Sequence, residues 1–386
     1  MRTAHRRFLL ILALCFGVTL LPMFLLNLAL VNATLGNTDK VALASAWQQQ
    51  TQGVTYAPTL SDTHLFKTLR LDDRLPEIDT VVMGSSTALG ITADMFPGLH
   101  AYNYAQTGHG LSSVLDDADY FIRDAPQIKT LIIPLDWSIG FIYQYAPPNP
   151  VNLSRAANST QRAPQQLSWL SRAADALSYP RMAGLIEMFK DSAHTPDPLQ
   201  TFSGYFRDDG GAEYRCSDGT PAKDYDIVHR GTCTGFRFDG SATFASSSRV
   251  SDAHALIAAA TASNSKYFLN LRARDGKPDA ALLERLAGLA ERAQAKGVRI
   301  VLFMPPLLPG MEQEFLRHPE LGPYLRNTHH SLYDWAGKHK LFLFDAGQSE
   351  RFGCDSNEFL DEHHAVASCY SKIFSALWRA YPNWKG

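Results

Sequence analysis

The chain has 386 residues, 45% of them hydrophobic and 19% charged, which excludes a disordered polypeptide and allows one large α/β domain with insertions or two small domains. Its 36 basic and 38 acidic side chains nearly cancel, to a formal net charge of -2. That balance argues against a nucleic-acid partner, which would call for a basic face.

The first predicted element is a membrane helix. Arg2, His5, Arg6 and Arg7 precede an uncharged apolar run, Phe8 to Val31, of 24 residues. A helix of about 20 apolar residues spans the ~30 Å of a bilayer core, whereas the apolar core of a secretory signal is only about 7–15 residues. Residues 1–31 are therefore expected to be a basic cytoplasmic end and a single transmembrane anchor. The rival reading is a cleaved signal, because Val31-Asn32-Ala33 and Ala44-Ser45-Ala46 resemble small-residue cleavage sites. In both cases the basic end stays inside and the remainder is extracytoplasmic, in a bacterial periplasm. Residues 32–75 are polar and mixed, and read as a stalk.

A catalytic-type domain is expected over residues 76–386. Thr80-Val81-Val82-Met83 is a buried-type strand ending in Gly84-Ser85-Ser86. His100 to Tyr104 is a second strand, followed by Gly108 and Gly110. A helix is predicted from Leu111 to Arg123 and a third strand from Lys129 to Leu135. Such alternation of strand, turn and helix implies a parallel sheet faced by helices. Residues 144–265 break the pattern and read as a large insertion, with one helix over Gln165 to Phe189. A separate domain is the alternative.

The regular pattern then resumes. Pro278 and Asp279 open a helix that runs to Lys296, with Leu282, Leu283, Leu286, Leu289 and Ala293 at helical spacing and Gly297 as the stop. Strands are expected over Val298 to Met304 and Leu341 to Phe344. Helices are expected over Tyr324 to His339 and Ser368 to Tyr381. Of five cysteines, Cys15 sits in the apolar run. The others form two near pairs, Cys216/Cys233 and Cys354/Cys369, which in an oxidising compartment predict two disulfides.

Three short motifs can carry chemistry. A serine is a poor nucleophile until a base takes its proton and a third group orients that base. Gly84-Ser85-Ser86, at the end of a strand, can present such a serine on a tight turn, with Ser86 the expected nucleophile and Ser85 the adjacent alternative; a helix cap is the plainer role. Gly108 can bring a backbone N–H to a developing oxyanion, or can simply turn the chain. Asp361, three residues before His364, has the spacing to hold an imidazole in the tautomer that faces the serine, and His363 is the neighbouring alternative. A Cys354/Cys369 bridge would staple the loop carrying that motif. Adjacent histidines point apart and no HExxH motif is present, so no metal and no cofactor are expected.

In this order the motifs resemble the SGNH (GDSL-like) hydrolase superfamily, over roughly residues 76–140 and 297–380. The Gly84-Ser85-Ser86 form is similar to that of membrane-anchored envelope members, such as the D-alanyl transfer protein of teichoic-acid modification and proteins of exopolysaccharide O-acetylation. The resemblance implies an α/β, flavodoxin-like three-layer sandwich with a mainly parallel central sheet. It implies Ser86 as nucleophile, Ser86 and Gly108 as oxyanion donors, His364 as base and Asp361 as its orienter. It also implies an O-acyl polysaccharide or lipid of the envelope as substrate, and a membrane-bound O-acyltransferase as partner. One position departs from the pattern: where the family has an oxyanion-donating Asn, this chain has Asp136, and an ionised carboxylate cannot donate. That departure supports the second expectation, a catalytically silent scaffold or binding protein of the same fold that partners a membrane acyltransferase or a polysaccharide export machinery.

Overall fold

The computed structural model describes residues 7, 14, 17–18, 20–29, 38–56, 63–136, 179–199, 212–224, 232–263 and 265–381. Two compact units share the chain, residues 1–66 with 159–232, and residues 67–158 with 233–386. The break at 232/233 falls inside the segment read from sequence as an insertion.

The elements, in chain order, begin with α1 (Thr38–Thr51), β1 (Val54–Tyr56) and α2 (Thr63–Arg74), the helix within which the first unit gives way to the second. Then come β2 (Thr80–Val82), β3 (Ala101–Asn103), α3 (Leu111–Asp124), β4 (Thr130–Pro134), α4 (Tyr179–Ala193), β5 (Ala212–Arg215) and β6 (Pro221–Asp224). The remainder is β7 (Gly235–Phe236), β8 (Ala242–Thr243), α5 (Ala253–Thr261), α6 (Lys266–Ala273), α7 (Ala280–Ala295), β9 (Arg299–Met304), α8 (Met311–Arg317), α9 (Leu321–Lys338), β10 (Leu343–Asp345) and α10 (Ala367–Ala380).

In the first unit β5 and β6 form an antiparallel hairpin, and β6 runs parallel to β1. The expected stalk thus contains α1, β1 and α2. Of the expected anchor, residues 17–18 and 20–29 are helical, and most of the rest lies outside the described residues, as do the cleavage candidate at 31–33 and residues 165–178 of the expected helix, which is seen as α4. No helix among the described residues is long and apolar enough to cross a membrane.

The second unit is a five-stranded parallel sheet of order β10-β9-β4-β2-β3. Counted along the sheet's own strands this is 2-1-3-4-5, the order of doubly wound sheets of the flavodoxin type. β2, β3 and β4 are buried end to end and β9 from its second residue on, which is why they read as continuous apolar runs, while the edge strand β10 is half-buried. Asp279 caps α7 by accepting from the Ala281 and Leu282 N–H groups, and Gly297, at φ 71°, turns the chain out of it. The buried face of α7 carries Leu282, Leu283, Leu286, Leu289 and Ala293. Each such leucine contributes about 1.5–3 kcal/mol by leaving water.

The order of a doubly wound sheet reverses at one place, and here that place lies between β2 and β4. A crevice opens outside the carboxyl ends of the strands at such a switch point. The Gly84-Ser85-Ser86 turn follows β2, and Asp136 follows β4.

Candidate active site

Gly84 makes the turn possible for two reasons. Its φ of 122° is a conformation that side chains resist, and a Cβ there would lie 2.2 Å from Pro134 Cγ at the end of β4. The turn continues as a short 3-10 helix, Ser86–Ala88. Ser85 is buried, and its Oγ accepts from the Thr87 N–H and pairs with the Thr87 hydroxyl at 2.9 Å. Ser85 is therefore the cap of the turn, and Ser86, half-buried, is left to face the crevice.

Ser86 Oγ is 2.7 Å from His364 Nε2, across 278 residues of chain. His364 Nδ1 is 2.6 Å from Asp361 Oδ2, and Asp361 Oδ1 accepts the backbone N–H groups of His363 and His364 at 2.9 Å. The three side chains form one continuous relay. Burial pushes the Asp361 carboxyl up. The hydrogen bond from His364, the charges of the two histidines and the His363 N–H outweigh it and bring the group down to about 2. Asp361 is thus an anion at any ordinary pH, and it orients His364 with Nδ1–H toward itself and Nε2 toward the serine.

His363 does not join the relay. Buried, it pairs through Nδ1 with the Tyr267 hydroxyl at 3.0 Å. Its ring lies 4.1 Å from that of His364 and packs against it.

The loop that supplies Asp361 and His364 is fixed at both ends. Phe359 and Ala365 form an antiparallel bridge, the Leu360 N–H donates to His364 O, and the Leu308 N–H donates to Glu362 O. The Cys354–Cys369 disulfide joins the loop's approach to α10. Cys216 and Cys233 are each disulfide-bonded as well. Catalytic groups must be held to about 0.5 Å, and such bracing is the physical means.

The serine turn is clamped from three sides. The Gln106 N–H donates to Gly84 O, Asn103 Nδ2 donates to Ala88 O and Ile91 O, and the Tyr370 hydroxyl of α10 donates to Thr87 O. Gly90 packs so closely on Ala365 that a Cβ would sit 2.6 Å from its carbonyl oxygen, which ties the turn to the histidine loop. Tyr370, Tyr267 and Gly90 carry no motif, and their roles are not legible in the sequence.

Gly108 lies in the loop between β3 and α3, exposed, at φ 76° and with nothing within 4 Å of where a Cβ would stand. Neither its N–H nor that of Ser86 donates to a group among the described residues. Asp136, just after β4, is buried and close enough to Tyr370 that its charge, after burial itself, opposes ionisation of that tyrosine.

No family model matches this chain, and no curated protein matches it. Among solved structures it is similar to a protein from Bacteroides fragilis described provisionally as an acylhydrolase, at 10% identity over 81% of this chain and 95% of that one, with a TM-score of 0.32. At that score the likeness decides neither fold nor chemistry, which rest on the strand order and on the relay.

Proposed function

We propose that this protein is a serine-dependent acyl-ester hydrolase or O-acyltransferase of the SGNH type. The observation that supports it is the Ser86–His364–Asp361 relay at the sheet's switch point, with both links at hydrogen-bond length.

In this reading Ser86 Oγ attacks the carbonyl carbon of an O-acyl ester while its proton passes to His364 Nε2. The carbonyl oxygen takes the electron pair as an oxyanion, received by the Ser86 and Gly108 N–H groups. Collapse re-forms the carbonyl and breaks the ester C–O bond, and His364 returns the proton to the departing alcohol. An acyl-Ser86 ester remains. Water or a sugar hydroxyl then attacks it by the same route, His364 acting first as base and then as acid. Asp361 stays ionised throughout and steadies the imidazolium.

The apolar run at 8–31 extends the proposal to a single-pass anchor in the inner membrane, with the relay in the periplasm. The two disulfides fit that compartment. The substrate is then an acyl group on an envelope polysaccharide or lipid, and a membrane-bound O-acyltransferase is the proposed partner. Full-length protein should hydrolyse a simple aryl acetate, and Ser86→Ala should remove that activity. Unchanged hydrolysis in the variant sinks the proposal.

Asp136 favours a second reading, a silent scaffold. A carboxylate stands where an oxyanion donor is expected. It predicts a folded native protein that turns over no ester and binds a membrane partner.

A further inference from the structure

A second polar cluster lies away from the relay, at the β10 edge of the same sheet. Glu312 from α8, His329 from α9 and Asp345 from β10 bring one donor atom each to within 4.8 Å of one another. The elements that supply them are distant from Ser86 in sheet order, since β10 is separated from β2 by β9 and β4.

The Glu312–His329 distance is too long for a hydrogen bond and suits coordination. Glu312 Oε1 stands 3.7 Å from His329 Nδ1. A hydrogen bond would draw these atoms to about 2.7–3.2 Å. Two ligands on one zinc-sized ion, each ~2.0–2.1 Å from it at a tetrahedral angle, stand about 3.4 Å apart.

The Glu312 side chain is only 2% exposed, and its Oε2 has no hydrogen-bond partner among the described residues. A buried, unsatisfied carboxylate oxygen is costly and calls for a partner.

The surroundings are those of an oriented site. Asp345 Oδ2 accepts from the Tyr333 hydroxyl at 2.9 Å and Oδ1 from the Gly347 N–H at 2.8 Å, leaving each oxygen a further lone pair. A Cβ on Gly347 would sit 1.9 Å from Glu312 Oε2, so only glycine leaves room for the carboxylate there. His329 is 16% exposed, which gives an ion a way in. The other gathering of such donors, Asp361, His363 and His364, is already tied into the relay and to Tyr267.

We propose that Glu312, His329 and Asp345 form a binding site for a divalent transition-metal ion, with Zn2+ the best match to two carboxylates and one imidazole, remote from the relay and stabilising the α8–α9–β10 corner of the sheet. Mg2+ and Ca2+ fit less well, because they favour all-oxygen sites.

The test strips full-length protein with a chelator, returns it to Zn2+ or to Mg2+, removes unbound ion and measures metal by mass spectrometry. Thermal melting is followed in parallel. The expected result is one Zn2+ per chain with a raised melting temperature, and no retained Mg2+. Glu312→Gln and His329→Gln should each lose the ion and the rise. His329→Gln, at a partly exposed position, should melt like the metal-free native protein. His364→Ala should keep the ion. The proposal is overturned if native protein retains no stoichiometric Zn2+, or if the ion survives in His329→Gln and disappears in His364→Ala.

Discussion

The two polar clusters of the parallel-sheet unit each join a histidine to an aspartate, one with a serine and the other with a glutamate, and their spacing differs. In Ser86–His364–Asp361 the atoms meet at 2.7 and 2.6 Å. In Glu312–His329–Asp345 the glutamate and the imidazole stop at 3.7 Å, and one buried oxygen of Glu312 has no hydrogen bond among the described residues. Contact at hydrogen-bond length lets a proton move, while a gap of that size leaves room for an ion. Distance is what distinguishes the proposed proton relay from the proposed metal site.

The sharpest way to break the comparison is to remove the proton relay. Ser86→Ala or His364→Ala should lower ester turnover by up to about 10⁶-fold, and Asp361→Asn by about 10⁴-fold, with the fold intact by circular dichroism. If removing one relay member left turnover within a few fold, the contact distances would have no catalytic meaning. The bracing comes next. Replacing Cys354 and Cys369 together by serine should cost about 3 kcal/mol in chemical denaturation, since the bridge spans 15 residues of chain. Gly84→Ala forces a side chain to φ 122° and into Pro134, and should cost roughly 1–3 kcal/mol in the same assay while displacing Ser86. In the second cluster Tyr333→Phe removes one hydrogen bond to Asp345 and should weaken Zn2+ binding by about 10-fold, measured by competition with a chromogenic chelator.

A further effect is expected on pH stability. Asp361 is held at about 2 in the folded protein against an ordinary 3.8, so its contribution is present above pH 3.8 and is lost as pH falls toward 2. Asp361→Asn should flatten that part of the acid-unfolding curve.

How much was legible in the sequence follows from how local each signal is. β4 and β9 are buried apolar runs, and α7 has a capping Asp279 and a stopping Gly297, so these elements could be read within a few residues. Ser86 and the Asp361/His364 pair sit in short motifs that are weak singly, and it is their order along the chain, with the resemblance it carries, that points to them. Ser86 and His364 are the expected members of their pairs, and what the sequence does not show is the use of the other member: hydrogen bonds with Thr87 occupy Ser85 and one with Tyr267 occupies His363. α1, α8 and the β5–β6 hairpin are short or weakly patterned and stayed hidden. The second cluster was beyond reading altogether, because Glu312, His329 and Asp345 are 16–17 residues apart and meet only after α8, α9 and β10 pack.

The central claim is that His364 activates Ser86. Full-length protein treated with a fluorophosphonate and read by intact mass tests it most directly. One adduct on the native protein, absent from both Ser86→Ala and His364→Ala, is the predicted result. A well-folded native protein that takes no adduct would contradict it and leave the silent scaffold as the better reading.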